Sequence, residues 1–274
     1  MEHKRLQILI SAVNKDPEEL IGSMNLDCDA VIVNQLIGDC HKEALKEGGN
    51  DYIQPFGDHE ARIICRKEKG VGLSRNTALS ASDHELIQFG DDDIVYDDGY
   101  AKKVIAEFDA HPEADMLLFN VKAQEGRETY WNEDFARVTW RNYGRYPAYA
   151  ICARRDKLMA SGVKYSLLFG GGAPYMNGED SLFLHDCLKA GLNIYRTTVA
   201  IGKEKSGEST WFKGYTDKFF FDRGVLYHFL YGRMAVLLGF RFLLKNRRVM
   251  CSEKGLLKCF KLLLDGVKHG STIS

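Results

Sequence analysis

Apolar residues fall along the chain in short unbroken runs, separated by segments whose polar and apolar positions follow helical spacing. The first run, RLQILISAV at residues 5–13, predicts a strand. Asp16, Pro17, Glu18 and Glu19 follow it with an N-cap, a proline for the first helical position and acids for the first turn, which predicts a helix. DAVIVN at 29–34 predicts a second strand, residues 52–56 a third, residues 73–82 a helix, and ELIQF at 85–89 another strand. A helix near 98–110 and a strand at 115–121 continue the alternation, and a polar, aromatic stretch runs on to about Tyr146. The glycine-rich LFGGGAPYMNGED then leads into a helix, SLFLHDCLKAG, closed by Gly191. Strands alternating with helices predict an α/β layer fold with a largely parallel sheet, and such sheets collect ligands at the carboxyl ends of their strands.

Directly behind ELIQF stand five aspartates in eight positions: Asp91, Asp92, Asp93, Asp97 and Asp98. Like charges this close are tolerated only where water, a cationic side chain or a bound metal compensates them. Three arrangements compete for the triplet. One is a solvated turn, with Asp98 capping the next helix; on any of the three, Asp97 and Asp98 are expected to start that helix. A second, the aspartate-rich site of prenyl-diphosphate enzymes, needs carboxylates one helical turn apart in an all-helical protein, whereas here a strand precedes them. The third is a strand-end Asp-x-Asp, with Asp91 and Asp93 converging on a divalent cation that also binds a nucleotide diphosphate, because a hard cation takes carboxylate and phosphate oxygens together.

A chain of 274 residues, 45% hydrophobic and 27% charged, can bury one large core. The apolar run at its start is too short for a secretion signal and is followed by no small-residue cleavage pattern, which predicts no export. Seven cysteines without a Cys-x-x-Cys pair predict reduced packing residues of a cytoplasmic protein, and neither a disulfide framework nor a zinc site. The formal net charge of -1 conceals an asymmetry: 15 Lys and Arg face 6 Asp and Glu from residue 196 onward, against 22 and 32 before it.

Upstream of the aspartates lies EKGVGLSRNTALSASDHELIQFGDDD, and downstream PYMNGEDSLFLHDCLKAGLNIYRT. Together these resemble the inverting family 2 glycosyltransferases of the GT-A fold, of the bacterial surface-polysaccharide type. In that family a Gly-x-x-x-Arg-Asn helix, a strand, an Asp-x-Asp element and a later Glu-Asp at a helix start occur in this order. The resemblance covers roughly residues 5–200. It implies a Rossmann-like, mixed, mostly parallel sheet flanked by helices, and transfer of a sugar from a nucleotide-diphosphate donor, a UDP-sugar favoured, to an acceptor hydroxyl. It further implies nucleotide-sugar contacts from Ser11, Val13, Asn14, Asn34, Arg75, Asn76, Asp91 and Asp92, and Mn²⁺ or Mg²⁺ on Asp91 and Asp93. Asp180 becomes the catalytic base and Glu179 the residue that holds the acceptor. Outside the family, Arg75 reads as a surface helix arginine, and Glu179 with Asp180 as a helix N-terminus pair favoured by the macrodipole.

Two strand ends depart from the family. Its Pro-x-Tyr-Asn and Asp-Asp-Gly-Ser segments are replaced by Ser11 to Asn14 and by Asn34 to Ile37, so the uracil-reading acid is absent. Asn34 offers an amide that can donate and accept toward a base edge. These departures motivate a second class of function, a catalytically silent nucleotide-sugar-binding scaffold, and a nucleotidyltransferase is a further enzyme alternative.

Residues 213–274 predict a basic, amphipathic helical appendage behind a catalytic domain of residues 1–212. His228, Arg233 and Arg241 interrupt the apolar stretch of about 20 residues that a spanning helix needs. Leu256, Leu257, Phe260, Leu263 and Leu264 share one helical stripe among Lys254, Lys258, Lys261 and Lys268, a pattern suited to an anionic membrane on its cytoplasmic side. A glycan or lipid-linked acceptor fits that location; the alternative is that the stripe packs on the catalytic domain or on a second subunit. No nucleic-acid motif accompanies the charges. Gly170, Gly171 and Gly172 read as a close backbone approach to the acceptor, a mobile loop or a plain linker. Trp211, with Lys203 or Lys205 near phosphate, reads as a lid over the donor or as a solvated loop, and His185 as a packing or surface histidine.

Overall fold

In the computed structural model, which describes residues 5–38, 50–205, 207 and 214–274, the first apolar run is strand β1 (Leu6–Val13). Asp16 accepts from the backbone N–H of Glu18 and Glu19 and so caps α1 (Pro17–Met24). The chain continues through β2 (Asp29–Gln35), β3 (Asn50–Phe56), β4 (His59–Arg66), α2 (Val71–Ala81), β5 (Leu86–Asp91), β6 (Ile94–Tyr96), α3 (Tyr100–Ala110) and β7 (Met116–Lys122). Then follow β8 (Ala136–Arg137), β9 (Ile151–Arg154), α4 (Arg155–Ser161), α5 (Glu179–Lys189) and β10 (Ile194–Glu204). The tail is three helices, α6 (Asp217–Tyr231), α7 (Ala235–Met250) and α8 (Leu256–Ile273).

The sheet runs β3-β4-β2-β1-β5-β9-β7-β10-β6, with β8 beside β10. β1, β2, β4 and β5 are parallel neighbours, as are β7 and β10, while β3, β6, β8 and β9 run antiparallel to theirs. Strand periodicity sorts the core: Leu6, Ile8 and Ile10 pack with Leu20 and Ile21 of α1 and Val104 of α3, whereas Leu9 faces the opposite layer with Ala78 of α2 and Leu182 of α5. β2 is buried at all seven positions, as expected for a strand covered on both faces.

The aspartates after β5 do not start α3 as expected. Gly99, at φ 68°, occupies the N-cap with no side-chain cap bond, while Asp97 pairs with Lys103 at 3.3 Å and Asp98 accepts from Asn25 at 2.9 Å. A residue in the left-handed region lets the chain turn directly from β6 into the helix.

The tail is packed on the body. Val225, Leu226 and Leu230 of α6 join the same core cluster as Phe89 and Phe183, and α8 buries Cys259, Leu263 and Val267 against α6 and α7, Leu263 alone of these belonging to the expected stripe. Backbones of α6 and α8 meet at Gly224 and Gly266, where a Cβ on either residue would lie 2.0 Å from a carbonyl oxygen of the other helix. Of the expected stripe, Leu257 is 85% exposed. Packing on α6 and α7 thus takes up Leu263 and part of Leu256 and Phe260, in line with the alternative that the stripe packs on the catalytic domain. Trp211 lies outside the described residues, as does the expected domain boundary at 212–213.

Candidate active site

Arg75 organises the carboxyl edge of the sheet. It sits on α2, 3% exposed, where its guanidinium donates from Nη2 to Asp91 Oδ1 and from Nη1 to Asp180 Oδ1, both at 2.8 Å, with Glu179 Oε1 at 3.6 Å. Its plane rests 5.0 Å from the Tyr165 ring, which is stacked on Phe183 at 4.1 Å. Asp91 at the end of β5 and Asp180 in the first turn of α5, 89 positions apart in sequence, are therefore held by one buried cation. Burial opposes the charge on Arg75, but Asp180, Asp91 and Glu179 outweigh it and keep the guanidinium protonated. One cation facing three carboxylates leaves the site net negative. Burial pushes the Asp180 carboxyl upward, Glu179 and Asp91 add to the rise, and Arg75 and the Ala148 amide oppose it.

The acids continue around the turn. β10 pairs antiparallel with β6, Glu204 opposite Ile94, which carries Glu204 and Lys205 to the aspartate turn. Asp93 is pushed up to about 6 by desolvation and by the charges of Asp91, Asp92 and Glu204. Asp92 turns toward Lys15 at 3.5 Å, and Lys205 donates to the Asp92 carbonyl at 3.4 Å and to Ser23 at 2.8 Å. Lys205, one of the two lysines expected near phosphate, stands at the acidic turn. Lys15, Glu204 and Tyr165 were missed in the sequence because register and loop packing, not local motif, bring them here.

The amides expected to read the nucleotide are spent on backbone. Asn34 donates to the Lys15 carbonyl at 2.6 Å and accepts from its N–H at 3.2 Å. Asn14, at φ 52°, does the same with Ile37, both contacts at 2.9 Å, and Asn76 with Tyr165 at 2.9 and 2.8 Å. Gln35 clamps Gly70 in the same two-bond manner. Each amide imitates one rung of a strand ladder across a gap, so these residues shape the rim of the cleft. Ser11 lies on β1 opposite Asp91 in register, its hydroxyl buried and unpartnered among the described residues, and Val13 is exposed at the strand end.

Gly170 and Gly172 resolve the glycine run into a tight turn at the start of α2. Gly171 accepts from Val71 N–H at 2.8 Å, and a Cβ on Gly172 would meet Gly70 backbone at 3.1 Å. A Cβ on Gly170 would lie 2.8 Å from the Glu179 carboxyl carbon, so this turn approaches α2 and Glu179 closely. The tail braces the segment that follows: Asp222 of α6 accepts from Met176 N–H at 2.7 Å, and the Tyr175 hydroxyl is 2.7 Å from His269 of α8. His185 stands on α5 beside Asp186 at 2.9 Å and against Trp140, a packing residue as expected.

For a divalent cation, the donor set offers hard carboxylate oxygens from Asp91 and Asp93, with Glu204 contributing to a charge that Lys205 and Lys15 offset only in part. Arg75 engages Oδ1 of Asp91. Among the described residues no group of three or more such ligands is already gathered for a metal.

The sequence profile of glycosyl transferase family 2 matches residues 29–164, a span that holds Arg75 and the aspartates. The fold resembles that of S. aureus TarS 1–349 in complex with UDP-GlcNAc, with a TM-score of 0.58 at 15% identity over 91% of this chain and 74% of that one. The complex of TarS 1–349 with UDP gives the same TM-score over 73% of its chain. Against the longer TarS chain the TM-score is 0.55, and the match covers 43% of that chain. No curated protein sequence matches. From the profile match, residues 29–164 form a glycosyl transferase family 2 domain, and the chain has the GT-A fold of these neighbours.

Proposed function

We propose that this protein transfers a sugar from a UDP-sugar to an acceptor hydroxyl, with inversion, in polysaccharide assembly. The observation that carries the reading is the ion-pair bridge through Arg75, which holds a strand-end carboxylate for the donor and a helix-start carboxylate for the acceptor at one site. The TarS complexes with UDP-GlcNAc and UDP, on the same fold, support a uridine nucleotide as donor.

Inverting displacement needs a base and a leaving group on opposite faces of the sugar. Asp180 takes the proton of the acceptor hydroxyl as the new bond to the anomeric carbon forms and the bond to the diphosphate oxygen breaks. Its raised pKa suits the task, since a base works best near the pH at which it operates. Glu179 lies beside it and orients the acceptor. Arg75 keeps both acids in place and limits their mutual repulsion. On the donor side Asp91 and Asp93 would hold Mn²⁺ or Mg²⁺, and such a cation neutralises charge on the diphosphate. Lys15 and Lys205 supply further positive charge at this edge.

Replacing Asp180 tests the assignment. Asp180→Asn lowers turnover of a UDP-sugar by about 10²- to 10⁴-fold while UDP affinity stays near wild type, the usual cost of losing general-base help. Wild-type turnover in this variant would remove Asp180 from the chemistry.

A further inference from the structure

The outward face of α7 carries a surface that the packing of the tail does not use. Ala235, Gly239 and Leu243 are buried against α6 and α8. On the opposite side Leu237, Phe240 and Leu244 follow one another at helical spacing, exposed by 60%, 36% and 37%. A helix packed on a soluble body normally turns polar residues to that side. Around the stripe stand Arg233, Arg241, Lys245, Arg247 and Arg248, and none of the five forms an ion pair among the described residues. From Gly232 to Met250 there is no acidic residue. Phe240 meets Phe260 of α8 at 5.0 Å, so the stripe is fixed to the body and not a frayed end.

We propose that this face of α7 seats the protein on an anionic bilayer, the leucines and Phe240 entering the headgroup boundary and the arginines and lysine meeting lipid phosphates. An apolar stripe flanked by cations on a helix lying in the interface plane is the pattern that binds such surfaces. No helix among the described residues is long and apolar enough to cross a membrane, so the contact is peripheral. Charge favours lipid over a second copy of this helix: pairing α7 with α7 sets like charges face to face with no acid on either helix. The surface is independent of the proposed reaction, and neither reading rests on the other. Through Tyr175 and His269, and through Asp222 and Met176, the helices that carry α7 also touch the segment leading to Glu179.

Sedimentation of the full chain with vesicles tests the proposal. At about 0.15 M salt the protein pellets with phosphatidylglycerol–phosphatidylcholine vesicles and stays in solution with phosphatidylcholine alone. Arg241→Gln with Arg248→Gln lowers the partition coefficient about fivefold for each cation removed. Leu237→Gln with Leu244→Gln abolishes binding while the melting temperature is unchanged, because both side chains are exposed. Ile53→Gln, an exposed apolar residue on β3, leaves binding as it was. No binding to anionic vesicles, or undiminished binding by the leucine variant, overturns the proposal. Failure to bind together with a dimer dispersed by Leu237→Gln would assign the face to a second copy.

Discussion

At the scale of single residues, one guanidinium decides the character of the site. Arg75 shares three carboxylates, and removing a partner from a buried charge costs on the order of 3–5 kcal/mol, so the four side chains act as a unit. The raised pKa of Asp180, pushed to about 7 by burial with Glu179 and Asp91, gives turnover a pH signature. A base works ionised, so kcat/KM falls as pH drops below about 7, more steeply once Asp93, pushed up to about 6, also takes a proton, and is level above it. A profile of UDP-sugar turnover from pH 5 to 9 checks this, and a flat response between 5 and 8 would detach the rate from Asp180. The acids and Arg75 were legible in the sequence because their order and spacing form a motif. Asn14, Asn34 and Asn76 each give one donor and one acceptor to a neighbouring backbone, which the sequence did not show because an amide suits a base edge and a peptide group equally.

At the scale of elements, β1, β2, β3, β5 and β7 with helices α1, α2, α3 and α5 followed from hydrophobic period and, for α1, from capping residues. β4, β6, β9 and β10 did not, and each lacks a strong local mark. β6 spans three residues, and β9 lies behind two short 3₁₀ turns at Tyr143–Arg145 and Ala148–Ala150. β10 shows register shifts against β7 between Arg196 and Gly202, which blur its alternation. The α6–α8 contact was also invisible, since glycines inside helices read as weak positions until two backbones are seen to meet there. Gly224→Ala places a methyl against the Leu263 carbonyl, where no flexible side chain can yield. It destabilises by about 1–3 kcal/mol, a fall in melting temperature of several degrees. Gly22→Ala, in the middle of α1 with open space around the new Cβ, instead gains up to about 1 kcal/mol. Equal effects at the two positions in thermal melts would contradict the close helix contact.

At the scale of the whole molecule, opposite charges are divided between opposite tasks. The acid-rich first part of the chain builds a negative cleft, which under the proposed function a cation and a diphosphate would complete, and α6 and α8 of the basic tail brace the segment leading to it. Helices α6 and α8 thus pack on the body that holds the candidate site, a contact that composition alone could not reveal. Calorimetric titration with UDP, in the presence and absence of Mn²⁺, probes the cleft as a whole. UDP binds with Mn²⁺ present, binds far more weakly without it, and loses this metal dependence in Asp93→Asn. Absence of UDP binding under both conditions, or binding of equal strength with and without Mn²⁺, would contradict a nucleotide-sugar site built on Asp91 and Asp93.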